Sequence, residues 1–377
     1  MRRHPALDPP EYLDWRATPE LLAEYAAEAA AVVKGRRPAE QPNEAVRLRL
    51  YEAMVRFRLH DYTLKRWVRQ GVISKAWLAT GEEAVTIGAV HALERGVDYV
   101  APMIRNQGAL HEFGMPLESL FAGYLGSAAS PNGGRDGHIG DLARGVIAPI
   151  SHVGDMVPVT TGVALAFRQR GEARVALTWI GDGTTKTAAA HEGLNLAAVL
   201  RVPAIFIVQN NQVALGTRTA QYHAGDFHAL GALYGMESTA VAGNNVLAVY
   251  GAVRWAAVRA RAGGGPYLIV ADTFRMGGHA THDEAEGRRV LPAELFAHWG
   301  ARDPIGLYEE YLVSAGVSRA RLEELETAVI SEVEAAAERA LAARAAAPAP
   351  ESAEYEGFSA GERQPGLAHR LLGARGS

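Results

Sequence analysis

A doubly wound α/β fold, a parallel sheet flanked by helices, is what this 377-residue sequence predicts. Three segments, 174–180, 202–208 and 266–273, are apolar runs rich in Val and Ile, the pattern of strands buried on both faces. Between them lie small-residue or polar turns and Ala-rich stretches at 186–200 and 245–262 that read as helices. Strands alternating with helices give a parallel sheet.

The other elements follow in chain order. Residues 17–42 pair an Ala/Glu-rich stretch with Arg36, Arg37, Pro38 and Pro42, and 1–43 is expected to be a peripheral arm. Over 44–70, Val46, Leu50, Met54, Phe57, Leu64 and Trp67 recur at helical spacing until Gly71, which predicts a long amphipathic helix. A second helix fits 82–94. Near the end, 319–346 alternates Leu, Val and Ile with Glu and Arg as a closing helix, and 347–377 turns to Pro, Gly, Ser and Glu as a loose tail. The body is therefore expected to be one domain, 44–346.

Composition excludes several classes of function. Hydrophobic residues make up 48% and charged residues 21%, which is globular rather than disordered. With 38 basic against 42 acidic residues the net charge is -4, leaving no basic excess for a nucleic-acid backbone or an anionic membrane. The absence of cysteine removes disulfides, thiolate nucleophiles, Cys-ligated zinc and iron–sulfur clusters together. Residues 1–16 hold Asp8, Glu11 and Asp14 without an apolar run, so a cytoplasmic location is expected. No apolar run approaches the ~20 residues that span a bilayer.

Chemistry concentrates where the first strand ends. Ile180 leads into Gly181-Asp182-Gly183, and Thr184-Thr185 opens the next helix. Ligands of open parallel sheets bind outside the carboxyl ends of the strands. Glycines let backbone approach a ligand closely, and a helix N-terminus offers unpaired amides to an anion, so the turn suits a phosphate. An aspartate inside such a turn would repel a bare phosphate unless a cation stands between them. The next strand runs into Gln209-Asn210-Asn211, which places Asn211 29 residues after Asp182. One turn, one helix and one strand consume that spacing, so both side chains emerge on the same rim. Mg²⁺ takes six hard oxygens, and Asp182, Asn211, a nearby carbonyl and a diphosphate would supply them. A nicotinamide-binding turn would need a third glycine, and no Gly-Lys-Ser/Thr closes a nucleoside-triphosphate loop.

The run from Gly181-Asp182-Gly183 to Asn210-Asn211 resembles the thiamine diphosphate motif. Its surroundings resemble the alpha subunit of the heterotetrameric 2-oxoacid dehydrogenases, the decarboxylating component for pyruvate or branched-chain 2-oxo acids. The likeness covers about 45–345 and also rests on Gly81-Glu82-Glu83, Arg105, the segment 151–158, and Gly277-Gly278-His279 followed by Asp283. It implies a thiamine diphosphate-binding fold in which Asp182, Asn211 and the Val213 carbonyl ligate Mg²⁺. Arg105 would bind the diphosphate along the Gly181, Gly183 and Thr184 turn, and Ser151 and Val153 would face the aminopyrimidine. His279 would be the active-site histidine, and His282 three residues later is not expected to join it in a metal pair.

The resemblance further implies a partner beta chain that supplies a glutamate to the aminopyrimidine, an alpha chain inactive alone, and a lipoyl-bearing acyltransferase that accepts the acyl group. Three departures from the family stand out. Ile104 replaces a common tyrosine. Lys186 could face the diphosphate or solvent. Ala280 occupies the place of a regulatory serine, so phosphorylation there is not expected. An acetoin dehydrogenase alpha subunit and a non-catalytic subunit with a decayed cofactor seat remain as alternatives.

Overall fold

The computed structural model describes residues 1–31 and 42–345. Five parallel strands form the main sheet: β1 (Tyr99–Ala101), β2 (Ala176–Gly181), β3 (Ala204–Asn210), β4 (Glu237–Ala242) and β5 (Tyr267–Asp272), in the order β1-β2-β3-β5-β4. Alternate residues of the inner strands enter different cores. Leu177, Trp179, Ile205, Ile207 and Ile269 pack on one face, and Ala176, Ile180, Phe206, Val208 and Val270 on the other, as the two-residue period of a strand requires.

Helices Glu83–His91 and Val246–Arg261 join the first core, and Met156–Gln169 and Ala188–Leu200 the second. Caps set their starts: Asn245 accepts hydrogen bonds from the amides of Leu247 and Ala248, and Thr187 accepts one from Ala190. The long helix Glu44–Arg69 begins at Asn43, which accepts from Val46, and the chain leaves its end through Gly71 at φ +71°. The closing helix Arg319–Ala342 is capped by Ser318. The sequence-predicted tail, 347–377, and Ala346 lie outside the described residues.

Three features differ from the sequence reading. The helix expected from residue 186 starts at Ala188, because Gly183–Lys186 form a 3₁₀ turn first. Strand β4 was not expected, since Glu237-Ser238-Thr239 breaks the apolar pattern; it is an edge strand and only half-buried. Of the stretch expected as a peripheral arm, 1–43, residues 1–31 pack against the body, and 32–41 lie outside the described residues. Its helix Pro19–Ala30 and the fully buried Tyr12 and Tyr25 contribute to the core, Asn245 donates to the Tyr25 carbonyl at 2.8 Å, and Arg3 pairs with Asp303 at 2.6 Å.

Candidate active site

Strand register places the two predicted metal-ligand side chains. Gly181, the last residue of β2, lies opposite Gln209 of β3, and Asn210 closes β3 opposite Asp272 of β5. Asp182 and Asn211 therefore leave from adjacent strand tips at the carboxyl edge. Asp182 starts the 3₁₀ turn, accepts a hydrogen bond from the Gly183 amide at 2.8 Å, and is 2% exposed. Its Oδ2 is buried and makes no hydrogen bond of normal length. Burial pushes this carboxyl above the usual carboxylate range and Glu82 adds to the rise, while the Tyr222 hydroxyl, the Gly183 amide and Arg275 oppose it. Gly183 is required by contact: a Cβ there would stand 2.6 Å from the Cβ of Ala214.

Asn211 is buried on the other tip. Its Nδ2 donates to Glu82 Oε1 at 2.9 Å and its Oδ1 takes only a long 3.3 Å contact from the Val213 amide. Beyond it, Gln212 and Leu215 hold φ of +68° and +56°, a region that non-glycine residues rarely occupy. They bracket Val213 in a two-stranded ribbon with Thr217–Arg218. The Val213 carbonyl accepts a long 3.4 Å bond from Arg275, whose Nη2 donates to Leu215 at 2.7 Å.

Positive charge gathers above these oxygens. Arg105, buried, donates to the Leu78 carbonyl at 3.1 Å and to His279 Nδ1 at 3.1 Å, and its Nη1 stands 3.7 Å from Glu82 Oε2. Burial and the neighbouring Arg105 charge lower Arg275 to about 10. Burial and both guanidinium groups lower His279 to about 4, leaving its imidazole neutral at physiological pH. Two buried guanidinium groups in one neighbourhood, Arg105 and Arg275, are suited to an anion.

Ser151 and Val153 stand further out. Both are exposed, and Ser151 Oγ lies 2.9 Å from His138 Nε2. Gly154 ties their loop to the rim, since a Cβ there would meet Thr187 Oγ1 at 2.2 Å. Thr184 lies in the 3₁₀ turn, its carbonyl accepting from Thr187. Lys186 is exposed on the solvent side, where its Nζ bonds His223 Nδ1 at 2.7 Å and sits 5.3 Å from the Phe227 ring. His282 is exposed, and no group of three His, Asp or Glu side chains among the described residues is placed to hold a metal.

Four residues of this region escaped the sequence reading. Glu82, fully buried, receives both Asn211 and Gln209 (2.6 Å) on one oxygen and leaves Oε2 unbonded; the signal was a pair of acidic residues opening an otherwise apolar helix. Arg275 and Tyr222 carry no local signal. His138 lies between glycines in a polar loop and shows its role only through Ser151.

A parallel sheet carrying an acid–amide pair at adjacent tips near two buried arginines is the layout of an enzyme that takes an anionic ligand at its sheet edge. The chain belongs to the family described as "Dehydrogenase E1 component", whose model matches residues 51–350. It is an oxidoreductase component; the family implies thiamine diphosphate, and its alpha chains imply a beta-chain partner. The chain is 34% identical over 313 residues to 2-oxoisovalerate dehydrogenase subunit alpha of Bacillus subtilis, covering 81% of this chain and 92% of that one. It is 36% identical over 300 residues to 3-methyl-2-oxobutanoate dehydrogenase subunit alpha of Mycobacterium tuberculosis, covering 76% of each. It is 34% identical over 279 residues to the mitochondrial 2-oxoisovalerate dehydrogenase subunit alpha of Mus musculus, covering 73% of this chain and 62% of that one.

Proposed function

We propose that this chain works in the cytoplasm as the alpha half of a heterotetrameric enzyme that decarboxylates branched-chain 2-oxo acids and passes the acyl group to a lipoyl arm of a separate acyltransferase. The names of its relatives support the substrate class. The observation that carries the reading is the unbonded, buried Asp182 Oδ2 on the rim it shares with Asn211, with Arg105 and Arg275 above. A buried carboxylate oxygen without a donor is costly, and a divalent ion removes that cost. Asp182, Asn211 Oδ1 and the Val213 carbonyl are hard oxygen donors of the kind Mg²⁺ takes, so the residues present fit the ion.

In this reading Mg²⁺ and thiamine diphosphate, when bound, supply Lewis acidity and the carbon nucleophile with its electron sink. The chain does the rest. Asp182, Asn211 and Val213 hold the ion, Arg105 and Arg275 bind diphosphate oxygens, and the Gly181, Gly183 and Thr184 turn lets them approach. Ser151 and Val153 face the aminopyrimidine. Arginine can only donate, so the Arg105 bond makes Nδ1 of His279 the acceptor and leaves the proton of the neutral ring on Nε2. His279 thereby presents an N–H to an oxygen of the 2-oxo acid. Exposed Ile150, Val153, Leu196 and Val199 give the beta subunit an apolar surface to cover.

Calorimetry on the complex with its beta subunit tests the reading. Thiamine diphosphate with Mg²⁺ is expected to bind the wild type and to lose most of its affinity in Asp182→Ala, and the loaded complex to release carbon dioxide from branched-chain 2-oxo acids faster than from pyruvate and to form no acetaldehyde from acetoin. Absence of heat with the wild type, or equal heat in the variant, removes the proposal.

A further inference from the structure

At the outer rim three side chains from two loops form a continuous relay. Ser151 Oγ lies 2.9 Å from His138 Nε2, and His138 Nδ1 lies 2.8 and 2.9 Å from the two oxygens of Asp136. The loop is anchored on either side of the histidine. Ile139 is fully buried, pressed so closely on Gly123 that a Cβ there would overlap it, and the Asn132 amide bonds the Asp136 carbonyl. Partial burial raises the Asp136 carboxyl, and the bond from His138 outweighs that and draws it below its ordinary value, so Asp136 is an ionised acceptor.

The chemistry of the three groups fixes the direction of each bond. A carboxylate only accepts, so Nδ1 carries a proton, and in the singly protonated ring Nε2 is then a bare acceptor. Ser151 must then donate its one hydroxyl proton to His138, which leaves only lone pairs to face outward. We propose that His138 and Asp136 are positioning residues that fix Ser151 as a hydrogen-bond acceptor, selecting a cofactor ring that presents an exocyclic N–H. This deepens the functional reading above and rests on its placement of Ser151 against the aminopyrimidine. A Ser–His–Asp set can also activate a nucleophile, but that role uses a buried aspartate, and the Asp136 side chain is 61% exposed.

The test compares thiamine diphosphate with its 4-oxo analogue, in which the pyrimidine amino group is replaced by an acceptor. Affinities are measured by calorimetry with Mg²⁺ on the complex with the beta subunit. The wild type is expected to prefer the amino form about tenfold, the cost of opposing two acceptors. In His138→Ala, Asp136→Ala and Ser151→Ala the ratio is expected to fall toward one. In His138→Lys, whose ammonium only donates, Ser151 must accept from it and turn its proton outward, and the preference is expected to invert. Melting curves report folding, and Asp136→Ala, on an exposed side chain, keeps the comparison available if a substitution at His138 unfolds the loop. A ratio unchanged from the wild type in Asp136→Ala and His138→Lys overturns the inference while leaving the cofactor assignment standing. Absence of thiamine diphosphate binding by the wild type overturns that assignment, and this inference with it.

Discussion

Glu82 and Glu83 are neighbours in sequence, both fully buried, and they serve different regions. Glu83 faces the helical layer. Its Oε1 receives Arg58 Nε at 2.7 Å and its Oε2 receives the Gly81 amide at 2.9 Å; Arg58 in turn reaches Asp303 at 2.9 Å, which also holds Arg3. Burial pushes the Glu83 carboxyl up, the Arg58 charge draws it back, and it ends above its ordinary value; Asp303, with two arginines against it, ends below despite its burial. Glu82 faces the sheet rim, where two amides share one oxygen and the other has only Arg105 at 3.7 Å. In the first region all four carboxylate oxygens of Glu83 and Asp303 are bonded, with Arg58 Nη2 left without a partner, and Arg3 on Asp303 holds the N-terminal segment to the body. The second keeps open, buried oxygens on Glu82 and Asp182 at the carboxyl rim of the sheet, where ligands of parallel sheets bind.

Substitutions that break one region and spare the other sharpen the contrast. Arg58→Ala leaves Glu83 and Asp303 buried without their shared partner, and the unfolding free energy is expected to fall by about 3–5 kcal/mol in a denaturant titration. Cofactor affinity of the molecules still folded is expected to stay within about twofold. Asp182→Ala reverses the pattern: roughly 10²–10³-fold loss of turnover, or about 3–4 kcal/mol, with a melting temperature of the cofactor-free complex close to wild type, because relief of the buried, unbonded Oδ2 offsets the loss of Oδ1 as acceptor for the Gly183 amide. Should Asp182→Ala melt well below wild type, the rim would be structural after all. Glu82→Gln is expected to fall between these, with a 10–100-fold loss in metal affinity measured by Mn²⁺ titration and about 1 kcal/mol or less in stability.

The contrast also explains how much could be read from the chain. The three central strands and the acid–amide pair were legible because each depends on a local pattern: apolar runs for β2, β3 and β5, and the spacing of one strand–helix unit between Asp182 and Asn211. Strand β4 was hidden because an edge strand half in solvent tolerates Glu237, Ser238 and Thr239. Residues 1–31 looked peripheral since their contacts lie far away in sequence, as with Trp15 donating to Ala301 and Met1 pairing with Glu309. Glu82 could be seen as a landmark but not as a partner, because Gln209 and Asn211 are 127 and 129 residues away. Resemblance rather than physics pointed to Arg105 and His279, and it could not show the relay behind Ser151.

The smallest expected effect concerns His279, which separates rim from core through pH. Burial, then Arg105 and Arg275, lower this group from its ordinary value near 6.5 to about 4. Between those two values the unfolded chain binds a proton that the folded chain refuses, so stability falls as pH drops through that window and the loss is complete below about 4. The ring is partly exposed, so screening reduces the effect to roughly 1 kcal/mol. Replacing it by asparagine, His279→Asn, removes that proton and should flatten the fall in melting temperature between pH 6.5 and 4. Arg105→Met should flatten it as well by raising the pKa of the histidine, whereas Arg58→Met should lower the whole curve without altering the part of its slope that His279 contributes. A slope unchanged in both His279→Asn and Arg105→Met would mean that the two guanidinium groups do not set the charge state of the rim, and the distinction between an open, electropositive edge and a closed ionic core would lose its electrostatic basis.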